Sequence, residues 1–475
     1  MKKTSKVFGY CLMLAVFILS GFSASAQLRL PSILSSGMVL QQKDSVSFWG
    51  WAGPGEKVFV TTSWNNRTDS TITTNMATWN LKLQTPEAGG PFSISIRSRN
   101  TINLTDVLIG EVWICSGQSN MEWSYYNGTS DIAADFPTAY NKNIRLFHVP
   151  KAASNFPQED VKANWTGCDS ITIKSFSAVG YFFGKKLQQE LNIPIGIINA
   201  SWGGTPAETW TPEEAIKHDP LLKSAATQLS SFPWWPAVPG QAYNGMISPI
   251  TKFSIAGAIW YQGEGNTVNN ATYHQLFTTM IDSWRIAWNK LLPFYYVQIA
   301  PYNYGRAYEG ALVQEEQTKT MTHPKTGMVV VYDLIDSVTN IHPSRKKPVG
   351  ERLANWALGD TYGKTGIDYK SPELISAMRE KDKMVLRFSN APNGLQVNGT
   401  EATGFFISGD TEAWFPAKAK VEKDIITIWS PQVKAAYHVR YGFGNTVVGN
   451  ISTKDGLPVV PFRTDDWKVD QVSVK

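Results

Sequence analysis

The spacing of hydrophobic and polar positions changes twice along the chain and divides it into three regions. In residues 27–105, short segments such as 46–50 and 92–97 alternate between apolar and polar side chains with a period of two. Turn residues separate these segments, and no helical period persists for ten residues. Such alternation is typical of half-buried strands, so the first region predicts a small β-sandwich.

The second region, residues 106–370, alternates apolar strand patterns with amphipathic helical patterns such as 178–191 and 273–289. The strand candidates are residues 107–115, 195–199, 256–261, 293–300 and 327–332. Strand and helix in alternation predict a parallel sheet covered by helices. Because ligands of such sheets bind beyond the carboxyl ends of the strands, we expect the chemistry of the protein there.

Short strand patterns return in the third region, residues 371–475, at 384–388, 426–429 and 437–441. Glycine and asparagine turns lie between them, which predicts a second β domain. The chain as a whole is therefore expected to be an α/β protein, with one β domain before and one after the domain that contains the parallel sheet.

The first 26 residues have the pattern of a secretory signal peptide. Three lysines precede an apolar run at residues 7–19, and Ala24-Ser25-Ala26 provides the small-x-small pattern that signal peptidase cleaves. We therefore expect export, either to the periplasm or out of the cell. The apolar run is too short to span a bilayer comfortably and no other stretch comes close, so no stable membrane span is expected.

Composition excludes several classes of protein. The 475 residues are 12% aromatic and carry a net charge of only +5, which excludes a largely disordered chain. No run of basic residues indicates a nucleic-acid partner. The 3 cysteines form no clustered ligand set, so neither a metal nor a cofactor is expected. Cys115 is expected to be a buried free thiol, and a bridge to Cys168 stays open as the alternative.

A serine that follows the first strand of the middle region is a candidate nucleophile. Ser119 lies in Gly117-Gln118-Ser119-Asn120-Met121, where a strand is expected to turn into a helix. Such a turn presents a hydroxyl beside free backbone N–H groups that stabilise an oxyanion. Met121 stands where the Gly-x-Ser-x-Gly elbow of α/β-hydrolases has its last glycine, so that motif is absent. The alternative role for Ser119 is a helix N-cap.

Two later loops also follow strands of the expected sheet. The loop at 199–208 contains Ser201, a rival nucleophile, and the pair Gly203-Gly204, whose backbone can approach a reacting carbonyl closely. The next contains Gln262, an amide donor, and Glu264, a carboxylate able to orient a histidine. Taken alone, a glycine pair is usually a turn and a loop acid is usually exposed.

A serine nucleophile needs a base, and the chain has 6 histidines. Five of them lie in strand patterns, in helical stretches or in a linker. His342 lies in Asn340-Ile341-His342-Pro343, a loop that opens an amphipathic stretch. A loop histidine held by a proline and a helix is well placed to act as a general base.

Several of these segments together resemble the sialate O-acetylesterase family, within the SGNH hydrolases. The resembling segments are 110–121, which matches the nucleophile block, then 202–206, 260–264 and 340–343, with 38–42 and 456–465 near the two ends. The similarity covers nearly all of the chain after residue 26. It implies a flavodoxin-like three-layer SGNH domain with a parallel sheet, flanked by N-terminal and C-terminal β domains.

The resemblance also implies roles for individual residues. Ser119 corresponds to the nucleophile and His342 to the base. The N–H of Ser119, together with Gly204 and Gln262, corresponds to the oxyanion hole. Ser201 is left with a role in the scaffold.

The acid of the triad is where this chain departs from the family pattern. Many SGNH enzymes have an aspartate three residues before the histidine, and this chain has Thr339 there. We expect Glu264 to orient His342 instead, as in related acetylxylan esterases. Asp336 is the alternative acid, and a Ser–His dyad without an acid is the third possibility.

Together with the signal-peptide pattern, the resemblance implies an exported, metal-independent carbohydrate O-acetylesterase acting on an acetylated sugar or glycan. One alternative is an acetylxylan esterase with the same machinery. Another is a non-catalytic glycan-binding protein, in which the 18 tryptophans line sugar platforms. The bulky Trp202, Trp260 and Tyr261 beside the proposed oxyanion loops predict a pocket for a small acyl group.

Overall fold

The structure is a computed structural model that describes residues 27–471. The predicted signal peptide, residues 1–26, lies outside the described residues. Within residues 27–471, no helix combines the length and the apolar character that crossing a membrane requires.

The N-terminal region is built of short strands that pair antiparallel, except that the first of them runs parallel to the long strand following the region. They are β1 (Val39–Gln41), β2 (Ser45–Trp51), β3 (Lys57–Thr62), β4 (Thr68–Ile72), β5 (Thr78–Gln84) and β6 (Gly89–Arg97). Strand β2 pairs with β5, while β3 pairs with both β4 and β6. Along β3, Val58 and Val60 are buried while Lys57 is exposed, which is the period-two pattern of the sequence. These alternate side chains form the core between the strands.

A mostly parallel sheet forms the centre of the molecule. Its strands are β7 (Thr101–Gly117), β8 (Asn141–His148), β9 (Trp165–Cys168), β10 (Ile195–Ser201), β11 (Gly257–Tyr261), β12 (Phe294–Val297) and β13 (Thr326–Val329). The order across the sheet is β13-β12-β11-β7-β10-β8-β9, and only β9 runs antiparallel to its neighbour. The predicted α/β class with a parallel sheet is therefore confirmed.

Helices cover both faces of this sheet. They are α1 (Ser119–Glu122), α2 (Ala178–Leu191), α3 (Glu213–Lys217), α4 (Pro220–Ala226), α5 (Tyr273–Trp288), α6 (Glu309–Thr320) and α7 (Lys346–Trp356). Side chains of β7 alternate between two cores: Trp113 packs with α2 and α7, whereas Ile114 packs with α5 and α6. Helix α2 begins where the Ser177 side chain accepts the N–H of Gly180 at 3.0 Å, and it ends at left-handed Asn192.

One long strand joins the N-terminal region to the central sheet. The first half of β7 pairs with β6, and its second half pairs with β10 and β11. The sequence predicts a boundary between residues 105 and 106, and that position lies inside β7. The chain therefore passes from one region to the next without a linker.

The C-terminal region consists of short strands packed on the central domain. They are β14 (Leu374–Glu380), β15 (Lys383–Phe388), β16 (Leu395–Val397), β17 (Phe405–Ser408), β18 (Trp414–Pro416), β19 (Lys418–Glu422), β20 (Ile425–Trp429), β21 (His438–Tyr441), β22 (Ile451–Thr453) and β23 (Phe462–Arg463). Arg463 forms a two-pronged ion pair with Glu315 of α6, at 2.7 and 3.0 Å. The hydroxyl of Tyr332 donates to the carbonyl of Ile451 at 2.9 Å. These contacts fix the C-terminal strands beside the carboxyl ends of the sheet.

The two cysteines of the central domain are separate. Cys115 and Cys168 are both free and buried. Burial raises the pKa of both thiols, that of Cys168 to about 12, so neither is a thiolate at neutral pH.

Candidate active site

The candidate residues meet where the parallel strands end. Ser119 follows β7, the Gly203-Gly204 pair follows β10, and Glu264 follows β11. The loop after β13 contains His342. Because the carboxyl ends of parallel strands lie along one edge of the sheet, residues far apart in the sequence converge there.

The structure brings Ser119 and His342 into direct contact. The Oγ of Ser119 lies 2.8 Å from Nε2 of His342, at hydrogen-bond distance. Ser119 is the first residue of α1, the four-residue helix that β7 turns into. A hydroxyl bonded to a ring nitrogen in this way is the arrangement that an activated serine nucleophile requires.

The loop before Ser119 is fastened to the loop after β11. Gly117 has a φ of +133° and lies against the carbonyl of Tyr261, so there is no room for a side chain. The N–H of Gln118 donates to that carbonyl at 3.0 Å. The buried Gln118 side chain accepts the N–H of Gly265 at 3.1 Å. This amide, which the sequence reasoning missed, fixes Ser119 relative to the third loop.

Backbone donors suited to an oxyanion lie beside Ser119. Within residues 27–471, no acceptor binds the N–H groups of Ser119 and Gly204. Gly204 has a φ of +82°, a conformation that glycine adopts without strain. A Cβ on Gly203 would lie 3.3 Å from the Cβ of Ser119, so the two loops are in contact. The N–H of Gly203 is not available, because it donates to Glu122.

Gln262 is not placed as the family resemblance implies. Its side chain is fully buried, and its amide nitrogen donates to the carbonyl of Thr205 at 3.2 Å and to Asn266 at 2.8 Å. Its amide oxygen accepts the hydroxyl of Tyr273 at 2.9 Å. Both amide hydrogens are thus used inside the core, and the Gln262 side chain offers no free donor to Ser119 in this structure.

Ser201 occupies a structural position. Its side chain is buried, and its hydroxyl donates to Oδ1 of Asn199 at 2.7 Å. The same oxygen lies 3.7 Å from the Sγ of Cys115. A hydroxyl that serves this contact inside the sheet fits the scaffold role expected for Ser201.

The ring of His342 is held by an aromatic neighbour that the sequence reasoning missed. Trp123 stacks on it with 3.8 Å between ring centroids and 21° between the planes. Burial, and then the charge of Lys346, lower the pKa of His342 to about 4. The imidazole is therefore neutral at neutral pH, and its Nε2 is able to accept the proton of Ser119.

Neither candidate acid bonds to the ring of His342. Among the described residues, the side-chain partner of Glu264 is Asn120, whose amide donates to it at 2.7 Å. Asp336 instead accepts the N–H and the hydroxyl of Ser344, each at 2.8 Å. Asp336 therefore stabilises the loop that contains His342 and does not bond to Nδ1 of His342. The identity of the triad acid stays a prediction.

A buried polar network lies behind the nucleophile. The amide oxygen of Asn120 accepts a hydrogen bond from the ammonium of Lys346 at 2.6 Å. Its amide nitrogen donates to Glu264 and, at 3.0 Å, to the carbonyl of Ile341, the residue before His342. Lys346 is fully buried, with its ammonium 5.3 Å from the ring centre of Tyr261. Burial lowers the pKa of Lys346 to about 7 and raises that of Glu264. Asn120 thus connects the residue after the nucleophile with the loop that carries the base.

The expected acyl-pocket rings are only partly at the site. Trp260 is fully buried among Trp210, Phe277 and Trp284, and Tyr261 is also fully buried. The expectation that these two rings face the site is wrong, because their strand places them in the cores of the sheet. Trp202 alone of the three is partly exposed.

Potential metal ligands are also dispersed. Within residues 27–471, no group of three or more His, Cys, Asp or Glu side chains is arranged to hold a metal ion.

Comparison with known proteins identifies relatives of this chain. The model of the family described as carbohydrate esterase, sialic acid-specific acetylesterase, matches residues 109–359, which is more than half of the chain. The sialate O-acetylesterase of Homo sapiens is 28% identical in an alignment 452 residues long, which covers 86% of this chain and 85% of the human protein. That of Mus musculus is 29% identical in an alignment 434 residues long, which covers 77% of this chain and 79% of the mouse protein.

A solved structure is similar over almost the whole molecule. A carbohydrate acetylesterase from Xanthomonas citri superimposes with a TM-score of 0.84 and 34% sequence identity, covering 93% of this chain and 100% of its own. The similarity extends through the β regions on both sides of the central sheet, which confirms the predicted fold class. With the family match, it also confirms the predicted family and the prediction of an esterase: this chain belongs to the sialic acid-specific acetylesterase family of carbohydrate esterases.

Proposed function

We propose that this esterase is exported and removes acetyl groups from sugar hydroxyls by an acyl-enzyme mechanism that uses Ser119 and His342. The observation that carries the proposal is the 2.8 Å contact between the Ser119 hydroxyl and His342 at the carboxyl edge of the parallel sheet. The acetylated sugar follows from what the similar proteins are named for. Export rests on the pattern of the first 26 residues, and a mature protein that begins at Gln27 would support it.

In the first half of the reaction, the Oγ of Ser119 attacks the acetyl carbonyl carbon while Nε2 of His342 takes the hydroxyl proton. The carbonyl oxygen becomes an oxyanion, which the free N–H groups of Ser119 and Gly204 would bind. When the carbon–oxygen bond to the sugar breaks, His342 returns the proton to the departing sugar oxygen. The acetyl group is then an ester on Ser119.

In the second half, water attacks the acetyl-serine. His342 takes a proton from the water, and the same backbone donors bind the second oxyanion. Collapse of this intermediate releases acetate, and the proton passes from His342 back to Oγ of Ser119. Both halves need a neutral imidazole at the start, which the lowered pKa of His342 supplies.

Two matched serine variants test the mechanism. Ser119→Ala should lower acetate release from an acetylated sugar by several orders of magnitude without unfolding the protein, because it removes only the attacking oxygen. Ser201→Ala is the control, and it should retain appreciable turnover because that hydroxyl serves the scaffold. Loss of activity in the Ser201 variant together with full activity in the Ser119 variant would move the nucleophile to the second loop.

A panel of substrates distinguishes the glycan. Acetylated sialic acids and acetylated xylan fragments should be compared at equal concentration by acetate release. Preference for sialic acids supports a sialate O-acetylesterase, and preference for xylan supports the acetylxylan esterase alternative. Release from neither, by a folded protein, would contradict both assignments of the substrate.

A further inference from the structure

Three aromatic side chains form an exposed cluster on the loop between α4 and residue 240. They are Phe232, Trp234 and Trp235, which we call the aromatic platform. The ring centroids of Phe232 and Trp235 are 4.5 Å apart, and those of Trp234 and Trp235 are 5.8 Å apart. Trp234 is 64% exposed and Phe232 is 46% exposed. Contiguous exposed apolar patches often mark binding surfaces, which makes this cluster a candidate for one.

The aromatic platform is in contact with the catalytic loops. The ring of Trp235 lies against Gly204, so that a Cβ on Gly204 would be only 2.5 Å from ring atoms. The indole N–H of Trp202 donates to the carbonyl of Trp234 at 2.9 Å. Gly203, between Trp202 and Gly204, is the residue that touches Ser119. The aromatic platform therefore begins beside Gly204, the proposed oxyanion donor, which is the residue after the Gly203 that contacts Ser119.

The loop that carries the platform has limited freedom. Pro233, Pro236 and Pro239 each fix one backbone φ angle. An isolated antiparallel bridge joins Phe232 to Trp235 and closes the turn between them. Rings that are already held in place lose less conformational entropy when a ligand binds, which favours a binding role over an incidental exposed patch.

We propose that the aromatic platform binds the pyranose ring whose acetylated hydroxyl reacts with Ser119. The inference rests on the proposed function and adds the place where the alcohol part of the ester is held. With the acetyl carbon at Ser119 and its oxygen at Gly204, a sugar that extends past Gly204 meets Trp235 and then Trp234. The C–H face of a pyranose is apolar and packs on the negatively polarised face of an aromatic ring.

A ratio of two activities tests this proposal. The full-length protein and its Trp234→Ala variant are compared on a monoacetylated methyl pyranoside and on ethyl acetate, whose alcohol is too small to reach the platform. The ratio of kcat/KM for the sugar ester to kcat/KM for ethyl acetate should fall about tenfold in the variant, mainly through KM. Trp234→Phe, which keeps a ring, should restore much of the ratio.

Tyr140→Ala provides the matched control. Tyr140 is another exposed aromatic, 79% exposed, and it lies just before β8 rather than on a loop after a parallel strand. Its removal should leave the ratio unchanged. If Trp234→Ala also leaves the ratio unchanged, the platform does not hold the sugar and the proposal is overturned. If Trp234→Ala instead lowers the hydrolysis of an octanoate ester, the platform binds an acyl chain, and this result also overturns the proposal.

Two substrates distinguish which pyranose binds to the aromatic platform: an O-acetylated sialic acid and an acetylated methyl xyloside. A lowered ratio with either one supports the proposal and names the pyranose that stacks there. Failure of the unmodified protein to hydrolyse ethyl acetate and both sugars would instead contradict the proposed function. The two failures are thus distinguishable.

Discussion

At the scale of single residues, a fully buried lysine lies behind a neutral histidine. Lys346 has no exposed surface, and its charge, after burial itself, helps to lower the pKa of His342 to about 4. A carboxylate paired with the ring would act in the opposite direction. The pKa of His342 therefore shows whether the charge of Lys346 or that of a carboxylate has the larger effect on the ring.

The pH dependence of kcat/KM should reveal this balance. Below its pKa His342 is protonated and unable to accept the Ser119 proton, so the rate should fall on the acid side with an apparent pKa near 4. Lys346→Met removes a positive charge, so the acid limb should move to higher pH, while burial of the ring keeps the pKa of His342 below its ordinary value. Lys347→Met, at an exposed neighbouring position, should not move it. An acid limb near pH 7 in the unmodified protein would show that an acid pairs with His342.

Glu264 and Asp336 are separated by paired amide substitutions. Glu264→Gln keeps a side-chain oxygen that can accept the hydrogen bond from Asn120, but it removes the carboxylate charge near Lys346. Because Asn120 also bonds to the loop of His342, the substitution should affect that loop. If Glu264 orients His342 through this network, kcat should fall on the order of a hundredfold or more, in line with loss of a triad acid. Asp336→Asn should have a much smaller effect. The reverse order would assign the acid to Asp336, and two mild effects would favour a dyad.

At the scale of elements, strand ends explain what the sequence could predict. Ser119, Gly204 and His342 were found because each follows an apolar strand pattern and because the motifs resemble a family. The roles of Asn120, Trp123 and Lys346 were not predicted, because they depend on contacts between segments more than 200 residues apart. The inward orientation of Trp260 was missed because a fully apolar strand does not indicate which face each residue takes.

The turn after β10 gives a prediction about the second loop. Gly204→Ala places a methyl group against Trp235 at a positive φ, so it should displace the N–H beside Ser119 and lower kcat on the order of a hundredfold. Gly456→Ala is the matched control, because its φ of +88° is similar and its surroundings are open. Both variants should lose about 1 kcal/mol of unfolding free energy from the strained backbone. Only Gly204→Ala should lose turnover; equal activities would remove Gly204 from the oxyanion site.

At the scale of the whole molecule, the N-terminal region and the catalytic sheet share both a strand and a buried carboxylate. The side chain of Glu111, on β7, is buried and accepts the amides of Gln41 at 2.8 Å and Gln42 at 2.7 Å. From the other side, the hydroxyl of Tyr362 donates to it at 2.9 Å. The amide oxygen of Gln41 also accepts the N–H of Val112 at 3.0 Å. The two regions are therefore joined by buried polar groups whose hydrogen-bond partners lie in the other region.

Unfolding should for this reason be one event for both regions. Gln41→Ala leaves the Glu111 carboxylate and the Val112 N–H each short of a buried partner, at a cost of about 1–3 kcal/mol. Calorimetry should give a single endotherm for these regions, and the variant should lower its midpoint and the temperature of half-inactivation together. Met76→Ala, in the same region but at a residue that is 85% exposed, should change neither. A shifted endotherm with an unchanged inactivation temperature would mean that the N-terminal strands unfold separately, and that β7 does not couple them to the active site.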